Sequence, residues 1–251
     1  MTTQHVFWDC DGTLVDSEII AMAVAIDTLI EHFDDPLSFS PYEREQLIHD
    51  WAGMHFDQMI ALCAAQYEPV TEAERQEMMH RNHARTLDAL SKVDAIFGIN
   101  TALATIESVG AVNTVVTSSE LDRVCISLEA AELRHYFHDA DGTERIYSAT
   151  STLPVPTPKP DPAIYHYALE RAGTDTSSVV AVEDSRSGVR AAVAAGIPVI
   201  GFVAGRHVPA ARRMAHGAAL MEAGAMTVVS SGAHLRAVLL ESLQLPPRAL
   251  A

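Results

Sequence analysis

Short apolar runs rich in β-branched residues occur once near the start of the chain and repeatedly after residue 110. Each run is bounded by Gly, Ser, Asp or Pro, which is typical of strands that are buried on both faces. We therefore predict strands at residues 5–8, 113–116, 179–182, 199–203 and 227–229.

Segments with apolar residues at helical spacing separate these runs. After residue 93 the predicted helices cover residues 101–108, 121–133, 162–172, 187–195, 210–223 and 233–243. Alternation of strands and helices indicates a parallel sheet with helices on both faces. The predicted fold class is therefore α/β, with a doubly wound, Rossmann-like parallel sheet.

The region after the first strand is different, because it shows helical patterns only, at residues 19–33, 41–52, 56–66 and 72–90. We expect a small all-helical domain at residues 17–91, inserted into an α/β core made of residues 1–16 and 92–251. The inserted domain would lie over the carboxyl edge of the sheet, where open α/β sheets bind their ligands.

The amino-acid composition and net charge limit the kinds of molecule that the protein is expected to bind. Of the 251 residues 48% are hydrophobic and 20% are charged, which is typical of a soluble globular protein. The formal net charge is −16 and no basic run stands out, so we expect neither nucleic acid nor a membrane surface as a partner. We expect a monomer or a small homo-oligomer that binds a small metabolite.

Cysteine usage and the N-terminus favour a cytoplasmic location. The three cysteines are far apart and form no CxxC pair, so we interpret them as reduced thiols: Cys10, Cys63 and Cys125. Asp9 and Asp11 interrupt the N-terminus before the apolar core of a secretory signal can form. The longest uncharged stretch, residues 191–205, is too short to span a bilayer.

Acidic residues directly follow two of the predicted strands. Asp9 and Asp11 are two residues apart, so they point to the same side if the extended backbone continues past the first strand. One carboxylate can attack phosphorus while the other protonates the leaving oxygen and later deprotonates water. Glu183 and Asp184 follow a later strand, and Asp184 with Asp9 would form an oxygen pocket that suits Mg²⁺.

Two further motifs supply groups for a phosphate. Thr117 and Ser118 end a strand and open a helix, where a hydroxyl and backbone amides can hold phosphate oxygens. An ordinary N-cap at Ser118 or Ser119 is the alternative, and the motif taken alone favours it. Lys159 lies between two prolines, and a cation fixed in this way suits a phosphate charge. A metal together with Lys159 would offset the repulsion among the clustered anions, about 4 kcal/mol for each close pair at intermediate dielectric.

With these motifs in this order, the sequence resembles the haloacid dehalogenase (HAD) superfamily. The resemblance is to phosphatases with an α-helical, C1-type cap after the first strand, similar to β-phosphoglucomutase-like and sugar-phosphatase members. Residues 9–13, DCDGT, match the DxDGT signature, and Thr117, Lys159 and the pair Glu183–Asp184 match the three later motifs. The resemblance implies Mg²⁺-dependent hydrolysis of small phosphomonoesters such as sugar phosphates, through an aspartyl-phosphate.

The resemblance also implies a role for each matched residue. Asp9 would be the nucleophile and Asp11 the general acid and base. Mg²⁺ would be held by Asp9, Asp184 and the backbone carbonyl of Asp11, with Glu183 reaching it through water or binding its shell. The phosphoryl group would be bound by Gly12, Thr13, Thr117, Ser118 and Lys159. Lys159 would also restrain Asp9, and closure of the cap would exclude bulk water.

Related activities can be weighed on single residues. The similar haloacid dehalogenases lack an aspartate at the position of Asp11, so this residue favours phosphoryl transfer. Similar β-phosphoglucomutases carry a cap histidine where this chain has Ala21, which counts against a phosphosugar mutase, the alternative enzyme. Phosphonoacetaldehyde hydrolases need a cap lysine, and residues 17–90 contain none. A phospho-accepting signalling module is the alternative from another class, although receivers of that kind have no helical cap.

Specificity for the leaving group is expected to come from the inserted domain. Residues 51–58 resemble a glycine-centred specificity loop with Gly53 at its centre. His55 in this loop could donate to a substrate hydroxyl, although a lone loop histidine is more often merely exposed. Glu18, next to the first predicted linker, is the third candidate.

Overall fold

A parallel sheet of six short strands, counted over the part of the chain that the structure describes, forms the centre of the molecule. The structure is a computed structural model that describes residues 3–33, 41–51 and 54–243. The strands are β1 His5–Trp8, β2 Val112–Thr117, β3 Ile146–Ser148, β4 Val179–Glu183, β5 Val199–Phe202 and β6 Thr227–Val229. Their spatial order is β3-β2-β1-β4-β5-β6, so β1 lies inside the sheet between β2 and β4.

Helices fill the intervals between the strands. Within the described ranges they are α1 Ser17–His32, α2 Pro41–Asp50, α3 Phe56–Gln66, α4 Glu72–Leu90, α5 Ile99–Ser108, α6 Leu121–Ala130, α7 Ala163–Ala172, α8 Arg186–Ala194, α9 Arg213–Ala223 and α10 Gly232–Ser242. None of these helices is long and apolar enough to cross a membrane. The predicted fold class, a doubly wound α/β sheet, is confirmed.

The structure departs from the predicted elements at one strand and at two helices, one of which is the helix predicted at residues 210–223 that begins at Arg213. Strand β3 was not predicted, because three residues at the sheet edge are too few to show a period of two. The helix predicted at residues 121–133 ends at Ala130, and the chain then turns through Glu132, whose φ is +57°. A 3₁₀ turn at Arg134–Phe137 follows. The apolar pattern of residues 121–133 therefore extends past the C-terminal end of the helix.

Each face of the sheet is covered by its own apolar cluster. Val6 and Trp8 of β1 belong to the cluster on one face, whereas Phe7 belongs to the cluster on the other face, as the alternation of side chains in a strand requires. The buried indole Nε1 of Trp8 donates to Oδ1 of Asn113 on β2, over 2.9 Å. Asn113 in turn donates from Nδ2 to the carbonyl of Leu103 on α5. This polar link ties two strands and a helix together inside the core.

Helices α1 to α4 lie between β1 and β2 in the chain and enclose an apolar cluster of their own. The cluster includes Met22, Ile26, Met59, Ile60 and Met78. The segments that lead into and out of this region run side by side, since the amide of Ile96 donates to the carbonyl of Leu14. The domain boundaries at residues 16/17 and 91/92 stay a prediction, which the separate cluster supports.

We predict that Asn113→Ala lowers the free energy of unfolding by about 1–3 kcal/mol, because it leaves the buried Trp8 Nε1–H without an acceptor. Urea unfolding followed by tryptophan fluorescence measures this loss. Asn100→Ala is the matched control, because exposed Asn100 also accepts one hydrogen bond, from the Tyr136 hydroxyl. Equal, small losses in both variants would contradict a structural role for the Trp8–Asn113 link.

Candidate active site

The register of the sheet brings the acidic motifs together. Trp8, the last residue of β1, pairs with Val182 of β4, and both strands run in the same direction. The residues that follow them therefore emerge at the same edge, and the amide of Asp9 donates to the carbonyl of Val182 over 3.0 Å. Asp9 thus lies beside Glu183 and Asp184, as the sequence predicts.

Three buried carboxylates form the centre of the site. Asp9, Glu183 and Asp184 each offer an oxygen, and these oxygens lie within 4.8 Å of one another. The carboxylate of Asp11 does not belong to this group. The predicted contribution of Asp11 to the metal was its backbone carbonyl, which stays a prediction.

Lys159 supplies the positive charge that faces this group. Its Nζ donates to Oδ1 of Asp9 over 2.7 Å, to Oε1 of Glu183 over 2.5 Å and to the carbonyl of Val116 over 2.7 Å. The ammonium is buried, with 3% of the side chain exposed. Lys159 therefore connects the carboxyl ends of three strands, β1, β2 and β4.

Burial and the ion pairs with Lys159 have opposite effects on the pKa values of these groups. Burial raises the pKa of Asp9 well above its ordinary value, and the Lys159 ammonium opposes this rise. Burial also raises the pKa of Glu183, again against the effect of Lys159. Burial alone would lower the pKa of Lys159, but the carboxylates of Asp9 and Glu183 outweigh it, so this pKa lies above its ordinary value. Lys159 therefore stays charged, but its single positive charge does not balance the negative charges of the carboxylates around it.

The donor set fits a divalent cation. Three carboxylates face one ammonium, so a charge of +2 is missing when all three are ionised. Oε2 of Glu183 is buried and has no hydrogen-bond partner among the described residues. All the candidate ligands are hard oxygens, which Mg²⁺ prefers. Asp9, Asp184 and Glu183 are therefore the residues that would hold Mg²⁺ or its water shell, and the cation would neutralise charge on phosphate oxygens.

Asp11 is held apart from the carboxylate group by hydroxyls. Ser17 donates to its Oδ1, and Ser119 donates to its Oδ2 over 2.5 Å. The Arg123 guanidinium lies 3.8 Å from Oδ1. Asp11 is therefore oriented by two hydroxyl donors with a guanidinium nearby, and it lines a cavity, which suits a group that exchanges protons.

Two glycines allow the carboxylates to approach the backbone. Gly12 has a φ of +75°, and a Cβ on it would lie 2.3 Å from Oδ2 of Asp184. Gly188, on α8, faces Glu183, since a Cβ there would lie 1.8 Å from Oε2. Such distances are impossible for real atoms, so only glycine permits this packing.

The predicted phosphate-binding hydroxyls lie close to the carboxylates and have protein partners. Thr13 is fully buried and its Oγ1 donates to Oδ1 of Asp184 over 3.4 Å. Oγ1 of Thr117 accepts from the amide of Ser119, and Oγ of Ser118 accepts from the amide of Lys159. Their predicted role in phosphate binding stays a prediction, as does that of Gly12.

A cavity of about 700 Å³ lies between helices α1, α3 and α4 and the sheet edge. The core side contributes Asp9, Asp11, Thr117, Ser118, Lys159 and Asp184 to its lining. Glu18 and His55 line the opposite side, so the structure brings these two specificity candidates to the site. Gly53, the third candidate, lies outside the described residues.

Several contacts of the site were not predicted. The Tyr165 hydroxyl donates to Oε1 of Glu183 over 2.5 Å, and His207 Nε2 lies 2.9 Å from Oδ2 of Asp184. Ser17 and Ser119 bind Asp11, as described above. Ser119 and His207 follow the predicted strands at residues 113–116 and 199–203, whose carboxyl ends reach the same edge of the sheet, so the sequence indicated their position but not their contacts.

Comparison with known proteins identifies the family of this chain. The family model described as "Haloacid dehalogenase-like hydrolase" matches residues 6–202, which is most of the chain and includes all four motifs. This chain belongs to the haloacid dehalogenase-like hydrolase family. The expected superfamily and the hydrolase class are thereby confirmed.

Similar members of the haloacid dehalogenase-like family include curated phosphatases and a solved structure. A "6-phosphogluconate phosphatase" of Escherichia coli K12 is 27% identical over 81% of this chain and 84% of its own length. A "Phosphorylated carbohydrates phosphatase" of Thermotoga maritima is 27% identical over 90% of this chain and 94% of its own. A HAD family hydrolase of Deinococcus radiodurans R1, solved with bound phosphate and sodium, is 28% identical, with a TM-score of 0.75 over 98% of this chain and 99% of that one.

We predict that Tyr165→Phe lowers the free energy of unfolding by about 1.5–3 kcal/mol, because it removes a buried hydrogen bond to the Glu183 carboxylate. Chemical unfolding at neutral pH measures the change. Tyr167→Phe on the same helix is the control, since its half-buried ring packs on Tyr147. A Tyr165 variant as stable as the Tyr167 variant would contradict the assigned contact.

Proposed function

We propose that this chain is a Mg²⁺-dependent phosphatase that hydrolyses small phosphomonoesters, sugar phosphates or related metabolites, through a phosphorylated Asp9. The observation that carries the proposal is the group of three buried carboxylates facing one lysine, at the wall of a cavity that Asp11 also lines. Such an excess of negative charge in a buried site is costly unless a cation occupies it, and a cation held there could also bind a transferable phosphoryl group.

In the first step a carboxylate oxygen of Asp9 attacks phosphorus and the bond from phosphorus to the leaving oxygen breaks. Asp11 in its acid form gives its proton to the leaving oxygen, so the alcohol departs neutral. In the second step Asp11 takes a proton from water, which attacks phosphorus and breaks the Asp9–phosphorus linkage. Inorganic phosphate leaves and both aspartates return to their first state.

The contacts of this chain suit these roles. Lys159 Nζ donates to Oδ1 of Asp9, which limits rotation of the nucleophile. The same ammonium places a positive charge next to the position that phosphate oxygens would occupy. Ser17 and Ser119 fix Asp11 on the cavity wall, next to but separate from the buried group. The bound cation would reduce the repulsion between the carboxylates and a phosphate dianion.

The names of similar proteins support the substrate class. The relatives from Escherichia coli and Thermotoga maritima are named for phosphorylated sugar acids and carbohydrates, and the Deinococcus radiodurans structure contains phosphate. A cavity of about 700 Å³ has room for a leaving group of sugar size beside the phosphoryl group. We infer that a small phosphorylated metabolite of the cytoplasm is the substrate.

The inserted helices would act as a cap that selects the leaving group. Glu18 and His55 line the cavity opposite the carboxylates. Helix α4 of the inserted region packs against α6, where His83 Nε2 lies 3.2 Å from Oδ2 of Asp122.

The alternative mutase activity would return phosphate to a sugar. Ala21 lines the same cavity and cannot exchange protons, which favours release of phosphate over its return to a sugar.

We predict that Asp9→Asn lowers kcat for p-nitrophenyl phosphate at least about a thousandfold, because an amide is a poor nucleophile towards phosphorus. Release of p-nitrophenol at saturating Mg²⁺ measures this. Asp88→Asn, on the exposed face of α4, controls for the loss of one negative charge. Turnover by Asp9→Asn near that of the control would falsify the nucleophile assignment.

Removal of divalent cations should abolish hydrolysis reversibly. We expect EDTA to reduce phosphate release to background and excess Mg²⁺ to restore it, because the carboxylate group then regains its counter-charge. Mg²⁺ should also raise the melting temperature, since a ligand that binds only the folded state stabilises it. Full activity after exhaustive chelation would rule out the metal-dependent mechanism.

A further inference from the structure

His207 is a buried imidazole in the loop after β5, and it contacts one of the carboxylates of the site. Its Nε2 lies 2.9 Å from Oδ2 of Asp184, with 8% of the His207 side chain and 7% of the Asp184 side chain exposed. The other contact given above for this carboxylate, from Thr13 to Oδ1, is long at 3.4 Å. His207 therefore makes the shorter of these two contacts with Asp184.

The backbone provides a slot for this ring between two glycines. A Cβ on Gly12 would lie 2.7 Å from Cε1 of His207, and a Cβ on Gly205 would lie 2.7 Å from both Cε1 and Nδ1. Any other residue at either position would push the imidazole away from Asp184. The first loop of the chain and the loop after β5 thus enclose the ring together.

Further hydrogen bonds hold the two partners in place. The amide of Arg206 donates to Oδ1 of Asp16 over 2.7 Å, which joins the His207 loop to the segment before α1. Nε2 of His216 lies 2.6 Å from the backbone carbonyl of Asp184. The main chain of Asp184 and the loop that carries His207 are therefore both fixed, and the imidazole can determine the rotation of the carboxylate.

His207 lies outside the group of side chains that offer ligand atoms to one cation. Among the described residues around this site, that group consists of Asp9, Glu183 and Asp184. We propose that His207 is a positioning residue, which donates from Nε2 to Oδ2 of Asp184 and so directs the carboxylate towards the cation. The inference rests on the divalent-cation site of the proposed function. Partners of this kind commonly change metal affinity about 10- to 100-fold.

Two variants of similar length separate donation from packing. His207→Gln keeps an N–H donor near the position of Nε2, whereas His207→Met fills similar space without one. Mg²⁺ affinity is measured without substrate, by the rise in melting temperature during Mg²⁺ titration and by Mn²⁺ binding in electron paramagnetic resonance. We expect His207→Met to bind about 10- to 100-fold more weakly. His207→Gln and the exposed control His166→Ala should stay close to wild type.

The outcomes distinguish this role from the proposed function. Melting in EDTA shows that each variant is folded, and His207→Ala replaces His207→Met if the latter is not. A folded donor-free variant with wild-type affinity would overturn the role of His207, and so would a folded His207→Gln that binds as weakly as His207→Met. Wild-type protein that binds Mg²⁺ but hydrolyses no phosphomonoester would refute the phosphatase and leave this inference standing. Wild-type protein that binds no Mg²⁺ would refute the cation site and the role of His207 together.

Discussion

The accumulation of negative charge at one edge of a parallel sheet is the constraint on which the site depends. Because β1 and β4 are neighbours in register, Asp9 has to lie beside Glu183 and Asp184. Three carboxylates in a buried position repel one another and lose hydration, and Lys159 can offset only part of this cost. An arrangement that is costly without a counter-charge is one that could hold a divalent cation.

The residues around the carboxylates suit a site that needs a positive counter-charge. Gly12 and Gly188 allow Asp184 and Glu183 to lie against the backbone, where bulkier residues would displace them. Tyr165 and Lys159 both donate to Oε1 of Glu183, which leaves Oε2 for another partner. Asp11 instead receives hydroxyl donors and faces the cavity. Two neighbouring aspartates thus have different environments, which suits a nucleophile and a proton carrier.

Much of the fold and of the carboxylate group could be predicted because the relevant signals are local. Asp9, Glu183 and Asp184 lie at the carboxyl ends of apolar strands, and parallel strands align these ends. The contacts of Tyr165 and His207 could not be predicted in the same way, because they depend on how separate elements pack. Strand β3 escaped prediction because it is short and lies at the sheet edge.

Anomalous diffraction from crystals of the protein soaked with Mn²⁺ would show whether Asp9 and Asp184 share a cation, since it locates the cation without relying on catalysis. We expect one strong peak within coordination distance of carboxylate oxygens from both Asp9 and Asp184, with Lys159 on the far side of Asp9. A peak bound elsewhere, or none at this group of carboxylates in crystals that bind Mn²⁺, would contradict this expectation.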